Sequence, residues 1–531
     1  MRSRRVELHE GMGMVRVNRA GGWSLLVVFV ALGGCRDAPA DTPEPSSTVD
    51  RAAAVAAAAT ITPEDLYDRI ALLAADSMRG RDTPSPELDA VAEWIAGEFE
   101  RFGLQPGMEE GYIQRYALRR MTVDASASSL TVGDASLAWG ADLTATALPR
   151  EGLSEGPVVL LSGSDGEVAD LPGEAQVFVF AGPGMEATRG PSWPARVEGL
   201  FAAGAGAVYV VTTLDDERWT RSAERAARGS RVVGEVDADR TTSMLVREAA
   251  VRRALGAQGI DVDALQARQA EEVRIDVTDV AASSTIRLDI LEDATAPNVV
   301  GILEGSDPEL RDEYVVYSAH MDHVGVRPSA EGGDSIFNGA DDDASGTAAV
   351  IEVAEAMASL DVAPRRSMIF LLVSGEEKGL LGSGYFADHP PVAVEAMVAN
   401  LNADMVGRNW SDTIVAIGKE HSDLGETLAR VNEAYPDLGM TAIDDIWPDE
   451  RFYFRSDHFN FARKGVPVLF FFNGTHEDYH RASDEVDKID TEKTARIGRL
   501  LFHLGLEIAA ADERPRWNPD SYADIVEDAG G

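Results

Sequence analysis

Six residues in the C-terminal half of this chain are of types that bind cations and move protons. They are His320, Asp342, the adjacent pair Glu376-Glu377, Asp404 and His480, in that order between Tyr314 and Asp490. Each stands at the end of an apolar run or in a Gly-rich loop. The imidazoles and three of the carboxylates suit ligation, which leaves one carboxylate spare. Two cations sharing a bridging carboxylate need such a donor set, and hydrolysis of a peptide there needs the spare carboxylate as a base.

Taken singly, the segments are less specific. SAHMDHVG ends an apolar run with His320, and a ligating imidazole usually donates its other nitrogen to a carboxylate. On a strand, positions 320 and 322 share a face, so Asp322 is the expected partner of His320, while His323 points the other way and is the weaker candidate. A histidine at a strand end also serves purely structural roles. In NGADDDASG, Gly339 and Gly346 permit a tight loop around Asp341, Asp342 and Asp343. Such a run equally suits a calcium site or the acidic start of a helix. In SGEEKGLLGSG, two adjacent glutamates point in different directions, so one could bind metal while the other faces the attacking water; a charged loop capping a helix is the plainer alternative. NLNADMVGR buries Asp404 in an apolar stretch, which costs several kcal/mol unless the carboxylate is paired or metal-bound. FFFNGTHEDYHRASDEVDKID offers His476 and His480, of which spacing favours His480.

These groups need strands that end close together. After Asn298 the apolar runs NVVGIL, YVVYSA, SMIFLLVS, AMVANLNA and VPVLFFFN alternate with helical stretches such as 344–360 and 380–389. That pattern predicts an α/β fold, a mixed and largely parallel central sheet flanked by helices, with functional groups at the carboxyl ends of strands. A helix over about 491–511 closes the domain, and 513–531 reads as a disordered tail. Upstream, Thr62-Pro63-Glu64-Asp65 opens a helix with a hydroxyl cap and acids in its first turn. A second helix over 86–102 carries Val91, Trp94, Ile95 and Phe99 on one face and stops at Gly103. From about 126 to 284 the texture changes to short β-prone runs broken by glycine (SLTV, PVVLLSG, AQVFVFAG, AVYVVTT), read as an inserted β-rich domain. The catalytic domain is thus expected over 61–125 and 285–512.

At 531 residues the chain should hold two or three domains. Acidic residues number 90 against 48 basic, a formal charge of −42, which repels nucleic acid and anionic membrane surfaces. Cys35 is the one cysteine, so no intrachain disulfide forms. Arginines at 2, 4, 5, 16 and 19 precede the apolar run WSLLVVFVAL and then Gly33-Gly34-Cys35, the pattern of an export signal too short to span a bilayer stably. The LGGC ending resembles a bacterial lipobox, which implies an exported protein lipid-anchored at Cys35, plausibly in an outer membrane; a periplasmic or secreted protein is the alternative. Residues 36–60, rich in Ala, Pro, Ser and Thr, read as a flexible linker.

In combination, AHMDHVG, NGADDDASGTA, SGEEKGLLGSGYF, NADMVGR, SDHFNF and DYHRASDEVDKI resemble the di-zinc exopeptidase family of bacterial leucyl aminopeptidases, whose relatives include glutamate carboxypeptidase and glutaminyl cyclase. The SMRGRDTPSP segment is similar to the family's N-terminal region, and the insert resembles a protease-associated domain. The resemblance implies the phosphorylase/hydrolase-like zinc exopeptidase fold and two Zn²⁺ per chain, with Co²⁺ or Mn²⁺ possible on the same ligands. It implies that Asp342 bridges the metals, that His320 and Asp404 complete one site, and that Glu377 and His480 complete the other. Glu376 would be the general base, Asp322 the partner of His320, and the Asp342-Asp343 peptide bond cis. Tyr453, three residues before Ser456-Asp457-His458, matches a tyrosine that stabilises the oxyanion; a packed aromatic between Phe452 and Phe454 is the plainer reading. Leu401-Asn402-Ala403-Asp404 is one residue longer than the family's NLDM form. The implied activity is aminopeptidase action on peptides. A carboxypeptidase or dipeptidase, for which Arg408, Arg451 and Arg455 could supply a carboxylate clamp, and a non-catalytic receptor-like binding protein are the alternatives.

Overall fold

The alternating runs after Asn298 become the centre of a ten-stranded sheet in the computed structural model, which describes residues 50–162, 168, 170–180, 193–236, 240–262, 274–328 and 333–527. From one edge its strands are Thr441–Ile443, Thr413–Ile417, Val468–Phe472, Met397–Ala403, Tyr314–His320, Ser367–Val373, Leu288–Leu303, Ile113–Val123 and Ser230–Val233. Gln105–Pro106 pairs separately with Leu288–Leu303. The four central strands, 314–320, 367–373, 397–403 and 468–472, run parallel, and antiparallel strands flank them. The fold class is α/β with a mixed sheet.

Side chains alternate between the two faces with the period of two that strands impose. Val315, Tyr317, Ala319, Met368, Phe370 and Leu372 enter one core, and Val316, Ile369, Leu371 and Val373 enter the other. The first core is covered by helices Pro63–Leu73, Pro86–Phe102, Gly346–Ala358 and Thr491–Ala510. The second is covered by the shorter helices Leu381–Asp388 and His458–Ala462.

Local chemistry sets the helix ends. Thr62 accepts a hydrogen bond from the Asp65 amide, and Ser85 from the Leu88 amide, each just before a proline in the first turn. Leu88, Val91, Ala92, Ile95 and Phe99 are buried at helical spacing, and Gly103 ends that helix at φ 80°.

Three boundaries differ from the sequence reading. The expected linker ends earlier, because Arg51–Ala58 is helical and buries Ala54, Ala57 and Ala58. An alanine run has high helix propensity, and its small side chains allow close packing on helix Thr491–Ala510. The tail is ordered through Glu527: Trp517 donates its indole N–H to the Gly465 carbonyl, and Ile525 is buried. The insert is not simply β-rich. It forms a second, eight-stranded sheet whose strands Gly152–Ser162, Ala175–Phe180, Ala205–Thr212 and Ser243–Arg247 run parallel, with helices Trp193–Ala202, Asp216–Ala227 and Glu248–Ala257 among them. Apolar runs without alternation, such as Ala175–Phe180, are buried on both faces, as parallel sheets require. The insert also lends Ser230–Val233 to the edge of the main sheet. Cys35 and the segment expected to be an export signal lie outside the described residues. Among the described residues no helix is long and apolar enough to cross a membrane.

Candidate metal centre

The parallel strands deliver the candidate residues to one end of the sheet. His320 is the last residue of its strand, Asp404 follows Ala403 directly, and Glu376 and Glu377 lie in a turn just past Val373. Asp342 sits in the loop that leads into the helix beginning at Gly346, and the Asp342-Asp343 peptide is cis. Met405 and His480 both have left-handed backbones, φ 55° and 54°, a conformation that non-glycine residues hold only when their surroundings enforce it.

Two groups of donor atoms converge there, each with its atoms within 4.8 Å of one another: His323, Asp342, Glu377 and His480 in one, and His320, Asp343 and Asp404 in the other. Asp342 faces both. Its Oδ1 lies 3.4 Å from His320 Nε2, and its Oδ2 lies 3.1 Å from His480 Nε2. Asp404 Oδ1 is 3.5 Å from His320 Nε2, and Glu377 Oε2 is 3.0 Å from His480 Nε2. Asp343 is near, but its oxygens are occupied by the backbone N–H groups of His320, Gly346 and Met405. Asp342 is therefore the residue of the pair better able to bridge.

These residues suit divalent cations. Buried carboxylates crowd against imidazoles, and Asp342 Oδ2, Glu377 Oε1 and both ring nitrogens of His323 lack a hydrogen-bond partner. His323 Nδ1 is only 2.7 Å from Glu377 Oε1, yet the pair is not aligned as a hydrogen bond. Buried polar atoms left in this way are costly, and a cation satisfies acids and imidazoles together.

The electrostatics agree. Burial pushes the carboxyls of Asp342 and Glu376 up, and neighbouring acids push them further. Burial would lower His480, but Asp342 and Glu377 outweigh it and raise the imidazolium to about 9. Burial raises Asp322 to about 6. Burial would raise Glu377 too, but His323 and His480 outweigh it and hold that carboxyl low; so many acids set among imidazoles suit a cation.

Supporting contacts fix the candidate ligands. Ser456 donates to Asp404 Oδ2 at 2.8 Å, leaving Oδ1 toward His320. Asp484 accepts from the amides of Asp341 and Asp342 at 3.0 and 3.2 Å. The partner of His320 Nδ1 is the backbone oxygen of Asp322 at 3.1 Å; the Asp322 carboxylate is 3.7 Å away. The strand ends at His320, so the shared-face argument does not reach residue 322. The Asp322 carboxylate instead accepts from Thr83 Oγ1 at 2.8 Å and the Glu376 amide at 3.3 Å, joining the His320 and Glu376 loops.

His323, expected to point away, joins the donor group for the same reason: the chain turns after His320. His476 lies 3.2 Å from Asp341 Oδ2, outside both groups. The contacts of Tyr453 are with His421, His458, Phe454 and Phe459, and Glu420 is the charge that acts on its buried hydroxyl. The tyrosine that feels the centre is Tyr479, stacked on His480 and raised by burial and by Asp342 and Glu377. Its place directly before His480 was the available signal. Ser456 and Asp484 lie in the SDHFNF and DYHRASDEVDKI motifs, but nothing in their spacing distinguishes them from ordinary polar residues.

Comparison with known proteins bears on the same region. Residues 298–505 match Peptidase family M28. Aminopeptidase YwaD of Bacillus subtilis is 27% identical over 244 residues, 44% of this chain and 49% of its own length. A probable leucine aminopeptidase of Arthroderma otae is 28% identical over 225 residues, 41% of this chain and 58% of its own length. The chain thus spans about half the length of these curated relatives. Among solved structures, the aminopeptidase from Aneurinibacillus sp. strain AM-1 aligns over 84% of this chain and 94% of its own, at 17% identity and a TM-score of 0.43.

Proposed function

We propose that this chain, whose residues 298–505 match Peptidase family M28, is a metal-dependent aminopeptidase, releasing N-terminal residues of peptides at a di-zinc centre. The observation that carries this reading is the position of Asp342, whose two oxygens face His320 on one side and His480 on the other. His320, Asp342 and Asp404 would hold one zinc, and Asp342, Glu377 and His480 the other, with His323 at hand beside Glu377. When bound, the ions would supply Lewis-acid polarisation of the scissile carbonyl and acidify the attacking water.

The chain's own residues do the rest. Glu376 stands beside the donor groups without an imidazole contact of its own among the described residues, which suits it to accept a proton from water and pass it to the leaving amine. The Asp322 carboxylate positions this base through the Glu376 amide. His480 is a third exposed and gives the centre its open side.

The amino end is favoured over the carboxyl end by the relatives that match this region, which are named aminopeptidases; the arginines that could clamp a substrate carboxylate have contacts elsewhere. Arg408 pairs with Asp478 at 3.0 Å, Arg451 lies over Phe454, and Arg455 lies over Phe452. A panel of one peptide with a free amine, a blocked amine and an amidated carboxyl end tests this. Hydrolysis should require the free amine and tolerate the amide; the opposite pattern would assign a carboxypeptidase.

A further inference from the structure

The SMRGRDTPSP segment lies outside the matched region 298–505, yet its Arg81 reaches the floor of the metal centre. Arg81 is fully buried. Its Nε donates to the Met321 carbonyl at 2.8 Å, between His320 and Asp322. Its Nη1 donates to the carbonyls of Leu73 and Asn338 at 2.6 and 2.7 Å, and its Nη2 to the Gly339 carbonyl at 2.9 Å. The guanidinium thus binds the loop carrying His320 and the loop carrying Asp342 with one rigid planar fork. It has no carboxylate in ion-pair contact among the described residues; the acids around it are Asp322, Asp342, Asp343 and Asp484.

The backbone is bent to place it. Arg79, Gly80 and Arg81 are consecutively left-handed at φ 47°, 68° and 48°, a conformation that is unfavourable for each non-glycine residue. A Cβ at Gly80 would stand 2.4 Å from the Phe337 carbonyl, so the strap presses directly on the Asp342 loop. The His323 amide donates back to the Arg81 carbonyl at 3.3 Å. Two residues on, the Thr83 hydroxyl donates to Asp322 Oδ2 at 2.8 Å and accepts from the Gly375 amide at 3.0 Å, next to Glu376.

We infer that Arg81 is a positioning residue of the metal centre: it fixes the spacing between the His320 and Asp342 loops, and Thr83 extends the same strap to the loop of the base. A purely structural arginine would bridge elements at any point of the core. Three of the four acceptors of this one lie beside His320 and on the loop just before Asp342. The inference rests on the reading that these residues hold metal.

The test compares zinc affinity, by competition with a chromophoric chelator, for the parent chain, Arg81→Lys and Thr83→Val, alongside melting temperatures with and without zinc. Arg81→Lys keeps the charge and loses the fork. Its zinc affinity should fall about 10–100-fold, the usual worth of a group that orients ligands, and the rise in melting temperature on adding zinc should shrink. Thr83→Val should bind zinc as the parent does but lose kcat with KM unchanged, and Thr83→Ser should restore kcat. Parental zinc affinity in Arg81→Lys, with melting lowered equally in both forms, overturns the inference. If Arg81→Lys does not fold, parental kcat in Thr83→Val overturns it. A parent chain that binds no zinc refutes the metal reading instead, so the two failures are distinguishable.

Discussion

Replacing Glu376 by glutamine should remove turnover and leave the metal in place. Glu376 is half-buried, its carboxyl is pushed well up by loss of solvation, and of its charged neighbours Asp457, Asp404 and Glu377 push it further while His320 opposes them. Glutamine has nearly the same size and carries no charge into that crowd of acids, so folding should be unaffected or slightly improved. Glu377 differs: it lies 2.7 Å from His323 and 3.0 Å from His480. A positioned base contributes 10²–10⁴-fold, which at 1.36 kcal/mol per tenfold is about 2.7–5.4 kcal/mol of transition-state stabilisation. Glu376→Gln should therefore lose that much in kcat, keep its KM and retain parental zinc content by elemental analysis. If it loses zinc while Glu377→Ala stays loaded and inactive, the two roles are exchanged. If its kcat stays within tenfold of the parent, Glu376 is not the base.

Further outcomes follow from the same geometry. Glu377→Ala should lose zinc affinity as well as rate, read by chelator competition, because it strips a carboxylate from between two imidazoles. Asp484→Ala leaves the amides of Asp341 and Asp342 unpaired, and should weaken zinc binding about 10–100-fold in the same titration. His503 is buried against Tyr435, and burial followed by Arg51 lowers it to about 4. Its folded pKa lies below the unfolded value near 6.5, so its contribution is intact above that value and is lost as pH falls toward 4. Between pH 8 and pH 5 that loss is about 2 kcal/mol; denaturant melts of His503→Phe should show a correspondingly smaller fall, and an unchanged fall would remove His503 from the acid response.

Much of the centre was legible because its chemistry is local in sequence. Apolar runs ending in His320 and Asp404 predict strand ends, and the Glu376-Glu377 pair follows a third. Strand-end placement is set by hydrophobic pattern, which a sequence carries openly. What hid was everything that depends on where the chain goes after a strand. Asp322 and His323 follow a turn, so the alternation that separated their faces had already stopped. Arg81 and Thr83 act across more than two hundred residues, and no local pattern announces a guanidinium that binds carbonyls. Tyr453 faces Glu420 and His421 because the short helical turn 452–454 decides its direction. The linker and tail were misjudged from composition: an alanine-rich run and a polar tail still fold when a neighbouring helix or strand offers them a surface.

The most direct test of the central claim is a count of zinc during reconstitution. Chelated, inactive chain is titrated with Zn²⁺ while bound metal and hydrolysis of a free-amine peptide are followed together. Binding of two equivalents per chain, with activity complete only at the second, is the predicted result. Saturation at one equivalent with full activity, or hydrolysis that persists in the metal-free chain, would contradict a centre bridged by Asp342.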